Sequence, residues 1–230
     1  TGNLGTATTT VADSVTMTTT AAKATGKTIN EAELENATVV ITALDQTLAA
    51  DLSGITTNAV TAAFDADGTF TGNLGTATTT VADSVTMTAA YNVLNGKTVN
   101  HDGSESAQAL VVTIASADAA ADLSNITSDI TNLTANFSET QTFIGNLDSK
   151  TASVANDITV TATAADVTGD TIAAAGNGNI AVTALHSTLA ADLSGLSSST
   201  GAVTAAFDGT GTFTGNLGTA TTTVADSVTM

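Results

Sequence analysis

The segment TGNLGTATTTVADSVTM decides the fold, because its 17 residues occur three times without a change, at 1–17, 71–87 and 214–230. A diverged copy, IGNLDSKTASVANDITV, fills residues 144–160. A period of about 70 residues with this identity is typical of a duplicated array of repeats. The starts of these segments define repeat units 1–70, 71–143 and 144–213, followed by a partial unit, 214–230.

Each repeat unit divides further at small turn residues. Three of these fall in every complete unit, at spacings of 21 to 29 residues. Such spacings are the length of one solenoid coil and are too short for a domain. We expect the turn residues to supply the positive φ angles that tight coils need. They are Gly5, Gly26, Gly54, Gly75, Gly96, Asn125, Asp148, Gly169, Gly195 and Gly218.

Between the turns, apolar and small polar residues alternate over short runs such as TVVITAL (38–44), TATTTVA (76–82), SVTMT (84–88) and ITVTATA (158–164). Period-two runs rich in Val and Thr predict short β-strands. The chain has no Pro, as expected where most strands donate hydrogen bonds to neighbours on both sides. The sequence therefore predicts an all-β fold: a parallel β-solenoid with about three coils per repeat.

The predicted architecture is one continuous solenoid segment over residues 1–230. Ten coil starts stacked at the spacing of β-strands give a rod roughly 45 Å long. The inserts EAELEN (31–36) and HDGSESAQ (101–108) account for the variation in coil length and are expected in loops. A string of small β-sandwich domains is the alternative, but it needs larger core side chains than a chain with no Trp and one Tyr supplies.

The charge balance excludes some partners. The chain has 22 acidic residues against four Lys and no Arg, giving a net charge of −18. Nucleic acid and anionic membranes require clustered basic residues, so neither is an expected partner. No Cys is present for disulfides, and no apolar run is long enough to span a bilayer. Since the chain starts at Thr1 without a Met, we expect it to be a fragment of a longer protein.

The blocks TLAADLSGI, AVTAAFDADGTFTGNLG and TTTVADSVTM resemble the repeat arrays of very large secreted bacterial surface proteins, including cyanobacterial ones. They are similar to β-solenoids of the filamentous-haemagglutinin type. This resemblance covers the whole chain as a style of repeat. It implies an extracellular stalk, adhesin or matrix filament, with no fixed catalytic residues to carry over.

One pair of residues is a candidate metal site. FDADGTF (64–70) places Asp65 and Asp67 in a D-x-D-G turn, a spacing that can begin a calcium loop. The equivalents FSETQTF (137–143) and FDGTGTF (207–213) hold one Asp or none, so a structural turn is favoured. If Ca²⁺ binds, we expect low affinity, and the sequence indicates no other cofactor.

Other motifs do not favour catalysis. ATGKT (24–28) and LNGKT (94–98) lack the first Gly of a phosphate-binding loop, and the third copy, VTGDT, has Asp170 in place of Lys. The two His residues, His101 and His186, occupy unrelated positions. The sequence therefore predicts that the protein is not an enzyme.

The expected function is mechanical: a structural or adhesive extracellular rod that serves as a spacer or stalk. The alternative is a self-assembling filament or matrix subunit that stacks end to end. A minor alternative is an ice-binding solenoid, suggested by TATTT at 6–10, 76–80 and 219–223, or a glycan-binding one. The expected partners are neighbouring repeats, further copies of the chain and surface glycans.

Overall fold

The computed structural model describes residues 4–32, 36–103 and 107–230. Strands account for 41% of the chain and helical turns for 11%, and the sheets of the described residues are parallel throughout. The prediction of a mostly β chain with parallel sheets is therefore confirmed. The predicted inserts at 31–36 and 101–108 fall partly outside the described residues.

The chain forms two compact units. Unit 1 consists of Thr1–Val111 and Asn125–Leu133, and unit 2 of Val112–Ser124 and Thr134–Met230. Two four-residue helices, α1 (Ala21–Ala24) and α2 (Tyr91–Leu94), lie in unit 1. The strands of unit 1 are β1 (Thr9–Val11), β2 (Thr16–Thr20), β3 (Ile29–Glu31), β4 (Thr38–Thr42), β5 (Ile55–Thr56), β6 (Ala59–Phe64), β7 (Gly68–Phe70), β8 (Thr78–Val81), β9 (Thr86–Ala90) and β10 (Val99–His101).

Three parallel ladders organise unit 1. The first runs β1–β3–β5, the second β2–β4–β6–β8–β10, and the third contains β7 and β9. Paired residues lie roughly 20 positions apart in sequence: Thr9 faces Ile29, and Thr38 faces Ala59. Strands that are close in sequence, such as β1 and β2, therefore belong to different ladders.

Unit 2 repeats this organisation. Strands β11 (Ala109–Ile114) and β12 (Asn132–Phe137) contribute residues to both units. Helix α3 (Ala164–Val167) follows β15. The remaining strands are β13 (Gln141–Phe143), β14 (Thr151–Val154), β15 (Thr159–Thr163), β16 (Ile172–Ala174), β17 (Asn179–Thr183), β18 (Leu196–Ser198), β19 (Val203–Phe207) and β20 (Thr221–Val224). Its ladders run β12–β14–β16–β18 and β13–β15–β17–β19–β20.

Short 3₁₀ turns connect several strands. Two of them begin after an alanine with positive φ, Ala43 and Ala184. The 3₁₀ turns are Leu44–Gln46, Ser116–Asp118, Leu123–Asn125 and Leu185–Ser187.

The core of each unit is made of small side chains that alternate along the strands. In β4, Val39 and Ile41 are buried, while Val40 between them and the flanking Thr38 and Thr42 are partly exposed. Phenylalanines provide the largest fully buried side chains, namely Phe64, Phe70, Phe137, Phe143 and Phe207. These rings therefore fill the core and are not available to stack on a ligand.

Identical sequences enter different ladders. The first copy of TTTV supplies β1 to the first ladder of unit 1, whereas the second copy supplies β8 to the second ladder. Strand β7 precedes β8 and belongs to the third ladder. Unit 2 shows the same step, because β14 and β20 occupy equivalent repeat positions but join different ladders.

The predicted turn residues have two structural roles. Seven of the ten markers have positive φ, for example Gly26 at 63° and Gly169 at 80°. The prediction is wrong for Gly54, Asn125 and Gly195, whose φ angles are not positive. At Gly54 and Gly195 a Cβ atom would lie 2.4 and 2.2 Å from the carbonyl oxygens of Lys27 and Asp170, so close backbone approach requires Gly there.

Candidate functional site

Polar turns at one corner of the repeat hold carboxylates in fixed positions. Asp51, Asp122 and Asp192 form parallel bridges with Asn73, Asn146 and Asn216, respectively. Each Asp carboxylate accepts a hydrogen bond from the backbone N–H two residues later, at 3.0 to 3.1 Å. These carboxylates therefore cap turns.

The same hydrogen bonds change the acidity of the capping residues. Donation from the side chain and backbone N–H of Ser53 holds the pKa of Asp51 below its ordinary value. Ser124 lowers the pKa of Asp122 in the same way, and the Asn146 amide adds a bond of 3.1 Å. Ser194 likewise lowers the pKa of Asp192. The ionised forms are thus favoured in the folded chain.

The two candidate calcium ligands lie in an exposed turn. The Asp67 carboxylate accepts a hydrogen bond of 2.7 Å from the backbone N–H of Thr86, at the start of β9. The backbone N–H of Asp65 donates to Asp45 at 3.3 Å. In the part of the chain that the structure describes, no three residues from His, Cys, Asp and Glu are grouped to hold a metal ion. Calcium binding by Asp65 and Asp67 stays a prediction.

The GKT segments use their lysines structurally. Lys27 Nζ donates to the carbonyl of Gly5 at 2.6 Å, and Lys97 Nζ donates to the carbonyl of Gly75 at 2.6 Å. Each lysine thus links its turn to the repeated GNLG turn. In the third copy Asp170 stands at this position, and burial raises the pKa of its carboxyl.

A chain of contacts joins Ser187, His186 and Asp208 in unit 2. Ser187 Oγ lies 3.0 Å from His186 Nε2, and His186 Nδ1 contacts the Asp208 carboxylate. The order of contacts is that of a nucleophile, a base and an orienting carboxylate. Ser187 and Asp208 are exposed.

The other repeat units explain this arrangement as a structural link. In the first repeat, Asp45 stands at the position that His186 has in the third, and its carboxylate accepts a hydrogen bond from the backbone N–H of Asp65. In the second repeat, the backbone N–H and the hydroxyl of Ser116 donate hydrogen bonds of 3.0 and 2.6 Å to the Glu139 carboxylate. Each contact joins a 3₁₀ turn to the turn that follows the next buried Phe. We therefore interpret the contact between His186 and Asp208 as a variant of this link.

His101 forms a second polar cluster in unit 1. Its Nδ1 accepts from the Gly103 N–H at 2.9 Å, and its Nε2 lies 3.4 Å from the Asp129 carboxylate. Gln108 and Thr131 complete the lining of a cavity of about 150 Å³.

A larger cavity of about 330 Å³ lies elsewhere in unit 1, between the turn after β7 and helix α2. Sequence reasoning missed this site. The sequence did hold one signal for it: residues 91–95 read YNVLN, whereas the equivalent residues of the first and third repeats read AAKAT and AADVT. The residues that line it are Gly72, Asn73, Asn92, Val93, Asn95 and Lys97.

Comparison with known proteins finds no matching family, no matching curated protein and no matching solved structure. Within the described residues, none of the helices is long and apolar enough to cross a membrane.

Proposed function

We propose that this chain is a continuous segment of a parallel β-solenoid and acts as a rigid extracellular rod. In this proposal it is a spacer or adhesive stalk of a very large bacterial surface protein similar to filamentous-haemagglutinin-type arrays. The observation that carries the proposal is the ladder arrangement within each unit. Parallel strands about 20 residues apart pair in register, as successive coils of a solenoid would.

The ladder steps of unit 1 refine the coil count. The paired residues of its strands lie 17 to 26 positions apart, close to 21 on average, and the isolated bridge between Thr98 and Thr127 spans 29 positions. A repeat of about 70 residues then makes three coils and a third of another. Each copy is turned to the next face of the coil, in keeping with the shift of TTTV from the first ladder to the second. Identical side chains would thus be distributed over three faces, which suits a spacer better than a one-sided adhesive strip.

The charge of the chain supports an exposed, solvated role. A net charge of −18 keeps such rods apart in solution and favours solubility. The hydrogen-bonded turns of Asp51, Asp122 and Asp192 place part of this charge at fixed sites. We place the protein at the bacterial surface and assign it no catalytic role.

The test is electron microscopy of the purified chain in negative stain, with and without EDTA. Discrete rods of roughly 45 Å, unchanged by EDTA, are expected for a calcium-independent spacer. A chain extended by one further 70-residue repeat should be longer by about 16 Å, since it adds three and a third coils. Compact particles, or no increase in length, would contradict the proposal.

End-to-end assembly into a filament or matrix is the second candidate. The same 17-mer recurs at 1–17, 71–87 and 214–230, so different copies of the repeat present the same strand sequences to a neighbour. The edge of a parallel sheet can bind a further strand, which would preserve the register of such repeats.

Sedimentation velocity distinguishes a filament subunit from an isolated rod. A filament subunit should give larger species as concentration rises. Val224→Lys, which places a charge on the exposed strand β20, should return it to the monomer, whereas Thr223→Lys is a matched control on the same strand. Monomers at all concentrations would reject assembly. Ice binding stays a minor alternative, and thermal hysteresis of the same sample tests it.

A further inference from the structure

The cavity between the turn after β7 and helix α2 is open to solvent and has room for a small ligand. Its volume of about 330 Å³ lies at the lower end of the range for ligand pockets, about 300–1,000 Å³. Gly72 and Asn73 form one wall, and Asn92 and Val93 of α2 form another. The close approach of Gly72 to Ala50, where a Cβ would lie 2.0 Å from the carbonyl oxygen, fixes the first wall.

The lining is rich in uncommitted amide groups. Among the residues that the structure describes, the side chains of Asn92 and Asn95 have no hydrogen-bond partner, and both residues are exposed. Asn73 uses its Oδ1 to accept from the Gly75 N–H at 2.9 Å, which leaves its NH₂ group to donate. Lys97 is held at 2.6 Å from the Gly75 carbonyl and can donate its other protons.

The equivalent positions of the other repeats carry no free amide. Thr25 and Thr168 stand where Asn95 does, and each accepts a hydrogen bond of 2.8 Å from a backbone N–H. Asn92 is replaced by Ala22 and Ala165, which have no polar side chain. The amides of Asn92 in α2 and of Asn95 directly after it therefore form an irregular site in an otherwise duplicated chain, as a binding site in a repeat array would.

We propose that this cavity, lined by Asn73, Asn92, Asn95 and Lys97, binds a neutral saccharide of one or two sugar rings. Amide side chains both donate and accept, and each sugar hydroxyl does the same, so adjacent hydroxyls can pair with Asn92 and Asn95. The lining residues include no carboxylate to hold a metal ion. A single lysine within a chain of net charge −18 disfavours anionic sugars and phosphate.

The site adds a ligand to the proposed stalk, and it depends only on the folding of unit 1. Failure of saccharide binding would leave the rod length measured by microscopy unchanged. If the rod proposal failed, microscopy would show compact particles, and saccharide binding could still be measured by titration. The two proposals are thus separable.

The experiment is a titration of the whole ¹⁵N-labelled chain with methyl glucoside, methyl mannoside, methyl galactoside and N-acetylglucosamine, followed by NMR. We expect saturable shifts of the side-chain NH₂ signals of Asn92 and Asn95 with at least one sugar. The double variant Asn92→Ala, Asn95→Thr places the residues of the first repeat in α2 and should weaken binding about tenfold or more. Asn58→Ala, which removes an exposed amide elsewhere in unit 1, should leave binding unchanged.

Three outcomes would overturn the proposal. The first is the absence of saturable shifts with every sugar of the panel. The second is equal binding by the double variant, with its fold verified by backbone NMR signals. The third is a response of the Asn92 and Asn95 signals to inorganic phosphate alone, which would identify an anion site.

Discussion

Thr79 carries a polar atom that the fold does not satisfy. It is fully buried in β8, and its hydroxyl has no hydrogen-bond partner within the described residues. Its neighbours across the ladder are Ala62 and Val99, both apolar. The diverged repeat has Ala152 at this position, which avoids the problem. The hydroxyl of Thr79 therefore costs free energy in a core that otherwise fits it.

Replacing Thr79 with Val should stabilise the chain. Val keeps the β-branched shape and removes the unsatisfied hydroxyl, so we expect the free energy of unfolding to rise by about 1 kcal/mol. Urea denaturation of the purified protein measures it. Thr79→Ser is the matched control, because it keeps the hydroxyl and removes the methyl group, and it should destabilise. A loss of stability in Thr79→Val would mean that the hydroxyl has a partner such as bound water.

Asp170 is a second residue whose side chain does not suit its surroundings. Lys27 and Lys97 each donate to the carbonyl of a GNLG turn, but the third copy has a carboxylate there. Its backbone lies as in the first copy, because Gly195 approaches Asp170 as Gly54 approaches Lys27. A lysine at position 170 thus has the same acceptor within reach.

We expect Asp170→Lys to raise the melting temperature at neutral pH. The new ammonium group gains an acceptor and removes a partly buried carboxylate, together worth about 1 kcal/mol or roughly 2–4 °C. Because burial raises the pKa of Asp170, its contribution is present below the unfolded value of 3.8 and is lost as pH rises through the folded value. Asp170→Asn should therefore stabilise at pH 7 but not at pH 3, and calorimetry at both pH values checks this. Equal effects at both would exclude ionisation as the cause.

At the scale of elements, the residue that follows each Phe turn is matched to the side chain that packs against it. A Cβ on Gly68, the first residue of β7, would lie 3.0 Å from the Cδ2 atom of Leu48, and a Cβ on Gly211 would lie 2.9 Å from the Cδ2 atom of Leu189. In the middle repeat Ala119 replaces this Leu and Gln141 replaces the Gly. The Gln141 amide uses the room to donate to the Ile114 carbonyl at 3.0 Å.

These two positions should be energetically coupled. Ala119→Leu alone should destabilise by about 1–3 kcal/mol, since its side chain would collide with Gln141. Gln141→Gly alone should also destabilise, because it leaves a void and an unpaired carbonyl. The double variant restores the Leu and Gly pair of the other repeats and should recover more than about 1 kcal/mol of the summed loss. Urea denaturation of the four proteins gives the coupling, and additive losses would contradict this account.

The sequence predicted the strands well and their arrangement less well. TVVITAL (38–44) and ITVTATA (158–164) contain β4 and β15, because period-two alternation is a local signal. The short helices α1 to α3 were missed, because segments of four residues are too short to show a helical periodicity. The shift of TTTV between ladders also escaped prediction, because it depends on which distant strands pair and not on the local pattern of the segment.

The end of a strand also differs between repeats according to the residue type at one position, which alignment of the repeats does not reveal. Ala43 and Ala184 adopt positive φ before their 3₁₀ turns. Ile114 occupies the same repeat position, and a β-branched residue rarely adopts that conformation. Strand β11 therefore continues through Ile114, which is fully buried. The candidate site was missed because Asn92 and Asn95 line a cavity only together with the turn at Gly72, which lies about 20 residues away in the sequence.

At the scale of the whole molecule, two electrostatic effects act in opposite directions as pH falls. The net charge of −18 weakens, which relieves repulsion in the folded chain. Protonation also removes the capping carboxylates. The pKa values of Asp51, Asp122 and Asp192 are lowered by serine donors, and that of Glu139 is lowered by Ser116.

We therefore expect stability to peak in mildly acidic solution, near pH 5, and to fall steeply below about pH 4. A lowered folded pKa contributes stability above the unfolded value, 3.8 for Asp, and that contribution is lost as pH falls through the folded value. The triple variant with Asn at 51, 122 and 192 should be less stable at pH 5 and should lose less between pH 5 and pH 2. Melting temperatures across this range measure both, and Asp118→Asn, an aspartate outside these turns, is the control. If the triple variant lost as much stability between pH 5 and pH 2 as the parent, the acid-induced loss of stability would arise from other groups and not from these three turns.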